Sequence, residues 1–212
     1  MAAGSVALTG DLVIPAHATG LVAFAHGSGS SRLSPRNRFV AGVLQRSGLA
    51  TLLFDLLTPP EEAMDVHTAR FRFDIPLLAA RLAAATVWAA DQPLLRDLPI
   101  GYFGASTGAA AALVAAALAP DGIAAVVSRG GRPDLAGEHL AAVRAPTRLV
   151  VGERDPVVFE LNMAARRQMR ARCELVVVPR ATHLFEEPGT LEEAARLATE
   201  WFTHYLRPIA IG

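Results

Sequence analysis

Leu98-Pro99-Ile100-Gly101-Tyr102-Phe103-Gly104-Ala105-Ser106-Thr107-Gly108 joins an apolar run to a glycine-flanked serine near the middle of the chain. Leu98 to Phe103 is a short apolar run and reads as a buried strand. Ala109 to Leu118 is almost all Ala, Leu and Val, and reads as a buried helix closed by Pro120. Between them stands Gly104-Ala105-Ser106-Thr107-Gly108, of the form G-x-S-x-G. Strand, sharp turn and helix is the setting that holds a serine in a strained conformation with its hydroxyl above a sheet edge. Glycine suits the two flanking positions because a crowded turn leaves no room for a side chain. The helix start then aims N–H groups and a positive dipole end at whatever binds near Ser106.

The rest of the chain alternates strand and helix patterns. Val6 to Leu8 and Leu12 to Ile14, around Thr9-Gly10-Asp11, predict an antiparallel hairpin at a sheet edge. Leu21 to Ala25 is apolar throughout, as a strand covered on both faces would be. Ser34-Pro35 reads as an N-cap with proline at the first helical position, opening a helix that runs to Ser47-Gly48. Ala50 to Phe54 is a strand ending at Asp55, Leu56 to Thr68 a loop, and Ala69 to Ala90 a helix with a stripe through Phe73, Leu77, Leu78 and Leu82. Strands follow at Ile123–Val127, Arg148–Val151 and Leu175–Val178, with helices over Val157–Ala171 and Leu191–Leu206. This order predicts one α/β domain over residues 1–212, with a mostly parallel sheet, an antiparallel N-terminal edge and helices on both faces. Roughly twenty residues join the Ile123 and Arg148 strands, close to an ordinary connection, so little or no lid domain is expected.

Composition bounds the function. Net charge is +0 over 212 residues, which argues against a nucleic-acid partner. All 20 basic residues are arginine, which excludes lysine chemistry such as a Schiff base. Cys173 is the one cysteine, so no intrachain disulfide and no cysteine metal cluster can form. Met1 to Gly20 lacks the pattern of a signal peptide, and the longest apolar run, Ala109 to Ala119, is too short to span a bilayer. A cytoplasmic protein with no membrane partner is the expectation; monomer and homodimer both stay open.

Ligands of parallel sheets bind at the carboxyl ends of the strands. Three strand ends carry, in order, Ser106, Asp155 and His183. A serine hydroxyl needs a base to take its proton, and an imidazole has the right range. A carboxylate can hold that imidazole in its working tautomer. The order Ser, Asp, His is that of α/β-hydrolases. Asp134 is the rival acid, and His17, His26, His67, His139 and His204 are rival bases. The developing oxyanion needs donors, for which the backbone N–H groups of Thr107 and of Ser28, in His26-Gly27-Ser28-Gly29, are the candidates. His26 and Arg129 are candidate substrate-binding residues. Arg32, Arg36, Arg70, Arg72, Arg129 and Arg132 fall in or near loops expected to line the mouth, where they would meet an anionic substrate group or pair with Glu61, Glu62, Glu186 and Glu187. A nucleotide site in the His26 loop is a weaker alternative, since G-x-G lacks the third glycine, although Asp55 does end the next strand.

On these residues the chain resembles the α/β-hydrolase superfamily, and within it the dienelactone-hydrolase-like branch. His26 to Ser31, Gly104 to Gly108, Ser128 to Asp134 and Ala181 to Phe185 resemble a bacterial group of hydrolases sometimes fused to a phosphoribosyltransferase domain; this chain would be a stand-alone version. The resemblance implies Ser106 as nucleophile, Asp155 as acid and His183 as base. True dienelactone hydrolase carries cysteine where this chain has Ser106, which shifts the expectation from lactones to general ester chemistry. The reading is a serine hydrolase acting on a small ester, thioester or lactone, with no cofactor and no metal. Acyl transfer or peptide cleavage by the same triad, a non-catalytic binding protein and a nucleotide-binding protein remain as alternatives.

Overall fold

The structure is a computed structural model, described here over residues 1–207. Nine strands are present: β1 (Ala2–Ala3), β2 (Val6–Ala7), β3 (Gly10–Val13), β4 (Leu21–Ala25), β5 (Ala50–Phe54), β6 (Ile100–Ala105), β7 (Ala125–Arg129), β8 (Thr147–Gly152) and β9 (Cys173–Val178). Six α-helices accompany them: α1 (Pro35–Arg46), α2 (Pro59–Thr68), α3 (Ile75–Ala90), α4 (Thr107–Leu118), α5 (Pro156–Gln168) and α6 (Thr190–Tyr205). A kinked 3-10 segment, Pro133–Ala142, stands between β7 and β8. The main sheet has the order β3-β5-β4-β6-β7-β8-β9; β3 is antiparallel to β5 and every other pair is parallel. The predicted α/β class, parallel sheet and antiparallel edge are therefore observed.

Strand side chains alternate between the two faces, and each face has its own core. Leu21, Ala23 and Ala25 of β4 meet α3 and α4 through Leu78, Leu82, Leu113 and their neighbours. Val22 and Phe24 point the other way, to Val40 and Leu44 of α1 and to Trp201 and Phe202 of α6. All five β4 residues are buried, as a strand covered on both faces requires.

Four local expectations change. The hairpin pairs β1 with β2, while β3 joins β5, so Val6–Leu8 and Leu12–Ile14 are not each other's partners. Pro59–Thr68 is a helix rather than a loop: Thr58 accepts from Glu61 N–H, and the Glu61 carboxylate accepts from Thr58 N–H at 2.7 Å. That reciprocal cap fills two orphan helix-end donors, and the prolines sit in the first turn, where a missing N–H costs nothing. The next helix starts at Ile75 under an Asp74 cap, which leaves Phe73 outside it and 55% exposed. The strand read as Ile123–Val127 is Ala125–Arg129, so Ser128 and Arg129 lie within it rather than after it.

Two devices fix the loops at the strand ends. At the elbow, a Cβ on Gly108 would lie 2.1 Å from the carbonyl oxygen of Ala25 and 2.5 Å from that of His26. Only glycine lets α4 start this close to β4. Beside it, Leu56 N–H donates to His26 Nε2 at 3.0 Å, so that nitrogen carries no proton. Nδ1 therefore carries it and bonds the Gly27 carbonyl at 3.0 Å. The neutral, buried ring ties the loop after β4 to the end of β5.

Gly108→Ala should destabilise the protein by about 3 kcal/mol or more, because both clashes are with backbone that cannot rotate away. Gly122→Ala, whose Cβ would have open space to 3.6 Å, should stay within about 0.5 kcal/mol in a denaturant titration. Burial lowers the pKa of His26, so the unfolded chain binds the proton better than the folded one. Its contribution to stability is full above the ordinary histidine pKa of about 6.5 and drains away as pH falls below it. Melting temperatures across that window should fall for the wild type and fall less for His26→Asn; parallel profiles would contradict the assignment.

Candidate active site

β6 delivers Ser106 at its carboxyl end, and α4 begins at the next residue. Ser106 holds φ 49° and ψ −122°, a region that costs a non-glycine residue about 1–3 kcal/mol. The surroundings over-determine it. Its carbonyl accepts from Arg132 N–H at 3.0 Å and Ala109 N–H at 3.1 Å, and its N–H donates to the Arg129 carbonyl at 3.4 Å. The serine side chain makes no cap to α4, which leaves the positive end of the helix unused by the elbow residue.

His183 lies in the loop after β9, and Asp155 follows β8 at the start of α5. The structure brings them together, with His183 Nδ1 donating to Asp155 Oδ2 at 2.7 Å. Asp155 stands at the N-cap position but makes no side-chain cap, leaving its carboxylate to the imidazole. The acid side chain is 14% exposed and the imidazole 38%, so the pair is sheltered at the acid and open at the base. Thr182 N–H donates to Glu187 and Arg154 N–H to the Ala181 carbonyl, which pins the histidine loop on both sides. Ser106 and His183 line one cavity of about 250 Å3, with Gly27, Ser28, Arg129 and Gly130. A larger cleft of about 680 Å3 runs alongside, walled by Ser31, Arg32, Asp55, Leu57 and Glu62, and contains neither Ser106 nor His183.

The other expected residues divide. Ser28 N–H donates to Thr107 Oγ1 at 2.9 Å, so an oxyanion would compete with the threonine hydroxyl for it. His26 uses both ring nitrogens on backbone partners and supports the loop instead of offering a nitrogen to substrate. The rival acid Asp134 is held by both ends of the Arg132 guanidinium, at 2.9 and 2.8 Å. Asp55 accepts from the backbone and guanidinium of Arg32, which occupies the acid a ribose site would need. Arg36 pairs with Glu186, Arg72 with Asp65, and Glu61 with Arg81, which was not among the expected partners.

Arg129 is different. It is 5% exposed and bonds the neutral Asn37 Oδ1 at 3.2 Å, and its guanidinium lies 5.7 Å from the Phe185 ring centroid. Its Nε has no hydrogen-bond partner, and no carboxylate lies within salt-bridge distance among the described residues. Burial, assisted by the charge of Arg36, draws its pKa down to about 10, which still leaves it charged at neutral pH. Asn37, not singled out in the sequence, is the missed residue here; its place in the first turn of α1 was the signal.

No family model matches the chain. A dienelactone hydrolase from Anabaena variabilis is 60% identical, with a TM-score of 0.95, covering 97% of this chain and 95% of that one. A putative phosphoribosyl transferase from Mycobacterium tuberculosis is 59% identical over 204 residues, which are 96% of this chain; the chain spans 45% of that relative's length. Est1E from Butyrivibrio proteoclasticus, bound to ferulic acid, superposes with a TM-score of 0.79 at 18% identity over 96% of this chain and 97% of that one, a likeness of fold alone. Among the described residues no helix is long and apolar enough to cross a membrane. With near-complete coverage in both directions at 60% identity, the chain belongs to the α/β-hydrolase superfamily, in its dienelactone-hydrolase-like branch.

Proposed function

We propose that this chain is a serine hydrolase that cleaves a small ester, thioester or lactone through an acyl-enzyme on Ser106. The observation that carries the reading is the strained Ser106 sharing one cavity with a histidine whose far nitrogen is bonded by Asp155 at 2.7 Å. With Nδ1 protonated and bonded to the carboxylate, Nε2 is left as the acceptor that can take the serine proton. Ser106 Oγ attacks the carbonyl, and the imidazolium returns the proton to the leaving oxygen or sulfur. A water deprotonated by His183 then releases the acid. Asp155 stabilises the imidazolium through both steps without taking the proton.

The oxyanion forms beside the start of α4, where Thr107 N–H is the first donor. Ser28 N–H becomes the second when the Thr107 hydroxyl turns away from it. A cavity of about 250 Å3 favours short acyl groups. The relative from Anabaena variabilis is named a dienelactone hydrolase, which keeps lactones among the substrates to test.

Hydrolysis of neutral short-chain esters tests the reading. Ser106→Ala and His183→Ala should each lower kcat by at least about 1,000-fold, and Asp155→Asn by about 10,000-fold through the wrong tautomer. Folding, followed by circular dichroism, should be retained. A Ser106→Ala protein within tenfold of wild type, after repeated purification, would remove the serine from the mechanism.

A further inference from the structure

A cation buried without an opposite charge is costly to keep, and folded proteins commonly pair it or neutralise it. Arg129 is neither paired nor neutralised. It faces an amide oxygen and an aromatic ring, in the wall of the cavity that holds Ser106 and His183. No residue lining that cavity is Asp or Glu, while Arg36 joins Arg129 in its wall. The Arg36 partner, Glu186, is 63% exposed, and such a surface pair is weak and easily exchanged. The first turn of α1, a helix of 12 residues, supplies Arg36 and Asn37 to the same wall, beside the N-cap Ser34, whose hydroxyl accepts from Asn37 N–H at 3.3 Å. A helix start adds a fixed partial positive charge and favours anions. Ser30 adds a hydroxyl.

We propose that Arg129, Arg36 and the first turn of α1 form a subsite for a tetrahedral dianion of the phosphate class, carried by the ester that Ser106 attacks. The substrate clause rests on the serine hydrolase reading; the anion subsite does not. Two guanidiniums and a helix start exceed what one carboxylate neutralises, and a guanidinium matches the oxygens of a phosphate in a paired, planar fashion. Arg129 Nε is buried with no partner and the guanidinium has no carboxylate, so a phosphate in the cavity would supply the counter-charge that the protein leaves out. A cavity of about 250 Å3 has room for a phosphate with a few carbons and the ester. The candidate substrate is thus an ester of a small phosphorylated alcohol. Its phosphate only binds: the bond broken is the acyl carbon–oxygen bond, the proton from Ser106 leaves with the alcohol, and water supplies the oxygen of the released acid.

The test has two arms. In the first, inorganic phosphate and acetate are compared at matched ionic strength, as inhibitors of neutral-ester hydrolysis and as thermal stabilisers of the protein. Phosphate should compete with the ester and raise the melting temperature, with acetate at least about tenfold weaker. Arg36→Gln should weaken the phosphate response several-fold and Arg129→Met by at least about tenfold, the latter read by thermal shift so that turnover is not needed. Arg129→Met should also melt above the wild type when no anion is present, because it removes an uncompensated buried charge, an effect that a structural arginine would not show. In the second arm, the acetyl ester of a phosphorylated two- or three-carbon alcohol should exceed its unphosphorylated counterpart in kcat/KM by at least about tenfold, through KM. Equal responses to phosphate and acetate, or an unchanged phosphate response in both variants, would overturn the subsite. Equal kcat/KM for the two esters would overturn the substrate class. Failure of the hydrolase reading looks different: no ester turnover, with the Arg129-dependent phosphate shift intact.

Discussion

The backbone contact between the start of α4 and the end of β4 is the constraint on which the site depends. The helix lands so close that the position of Gly108 leaves 2.1 Å between a hypothetical Cβ and the Ala25 carbonyl oxygen. That proximity puts the loop after β4 against the elbow, where a Cβ on Gly27 would stand 3.0 Å from Ser106 Cβ. Ser106 has no relaxed conformation available between a strand on one side and a helix on the other. Its φ of 49° is the residue of that geometry, and three backbone hydrogen bonds, to Arg129, Arg132 and Ala109, hold it there. The core on both faces of the sheet supplies the free energy that keeps one strained residue in place.

Around this point the molecule separates two kinds of charge. Outside the cavity, arginines meet acids: Arg32 pairs with Asp55, Arg72 with Asp65, Arg81 with Glu61, and Arg132 with Asp134. The cavity wall itself carries the Asp155-bonded His183, Arg36 with its exposed partner Glu186, and Arg129, which has no acid. Neutral His26 continues the pattern, since its two ring nitrogens are spent on backbone and contribute no charge to the pocket. A site built this way presents positive potential to its ligand without losing the neighbouring loops to repulsion.

Much of this was legible in the chain. The elbow could be read because its constraint is local: a strand, two glycines about a serine, and a small-residue helix leave few alternative structures. Asp155 and His183 were legible because each ends a strand of a parallel sheet, and the sheet alone brings such ends together. Pro59–Thr68 was misread because paired prolines outweighed the Thr58–Glu61 capping pattern that makes them a helix start. The β3 partner was misread because proximity in sequence favoured a hairpin, whereas the burial of β5 demanded an edge partner. Arg129 and Ser28 show a different limit. That Arg129 lacks an acid and that Ser28 N–H bonds a threonine hydroxyl are outcomes of packing between residues 92 and 79 positions apart in the sequence. No local pattern encodes either.

The proposed role of Ser106 requires that the geometry around it activate its hydroxyl. Labelling with a fluorophosphonate, followed by mass mapping, tests this most directly because it needs no knowledge of the substrate. The expected result is a single adduct on Ser106, absent from Ser106→Ala and strongly slowed in His183→Ala. Folded wild-type protein that accepts no adduct, or one that is modified equally at other serines, would contradict it.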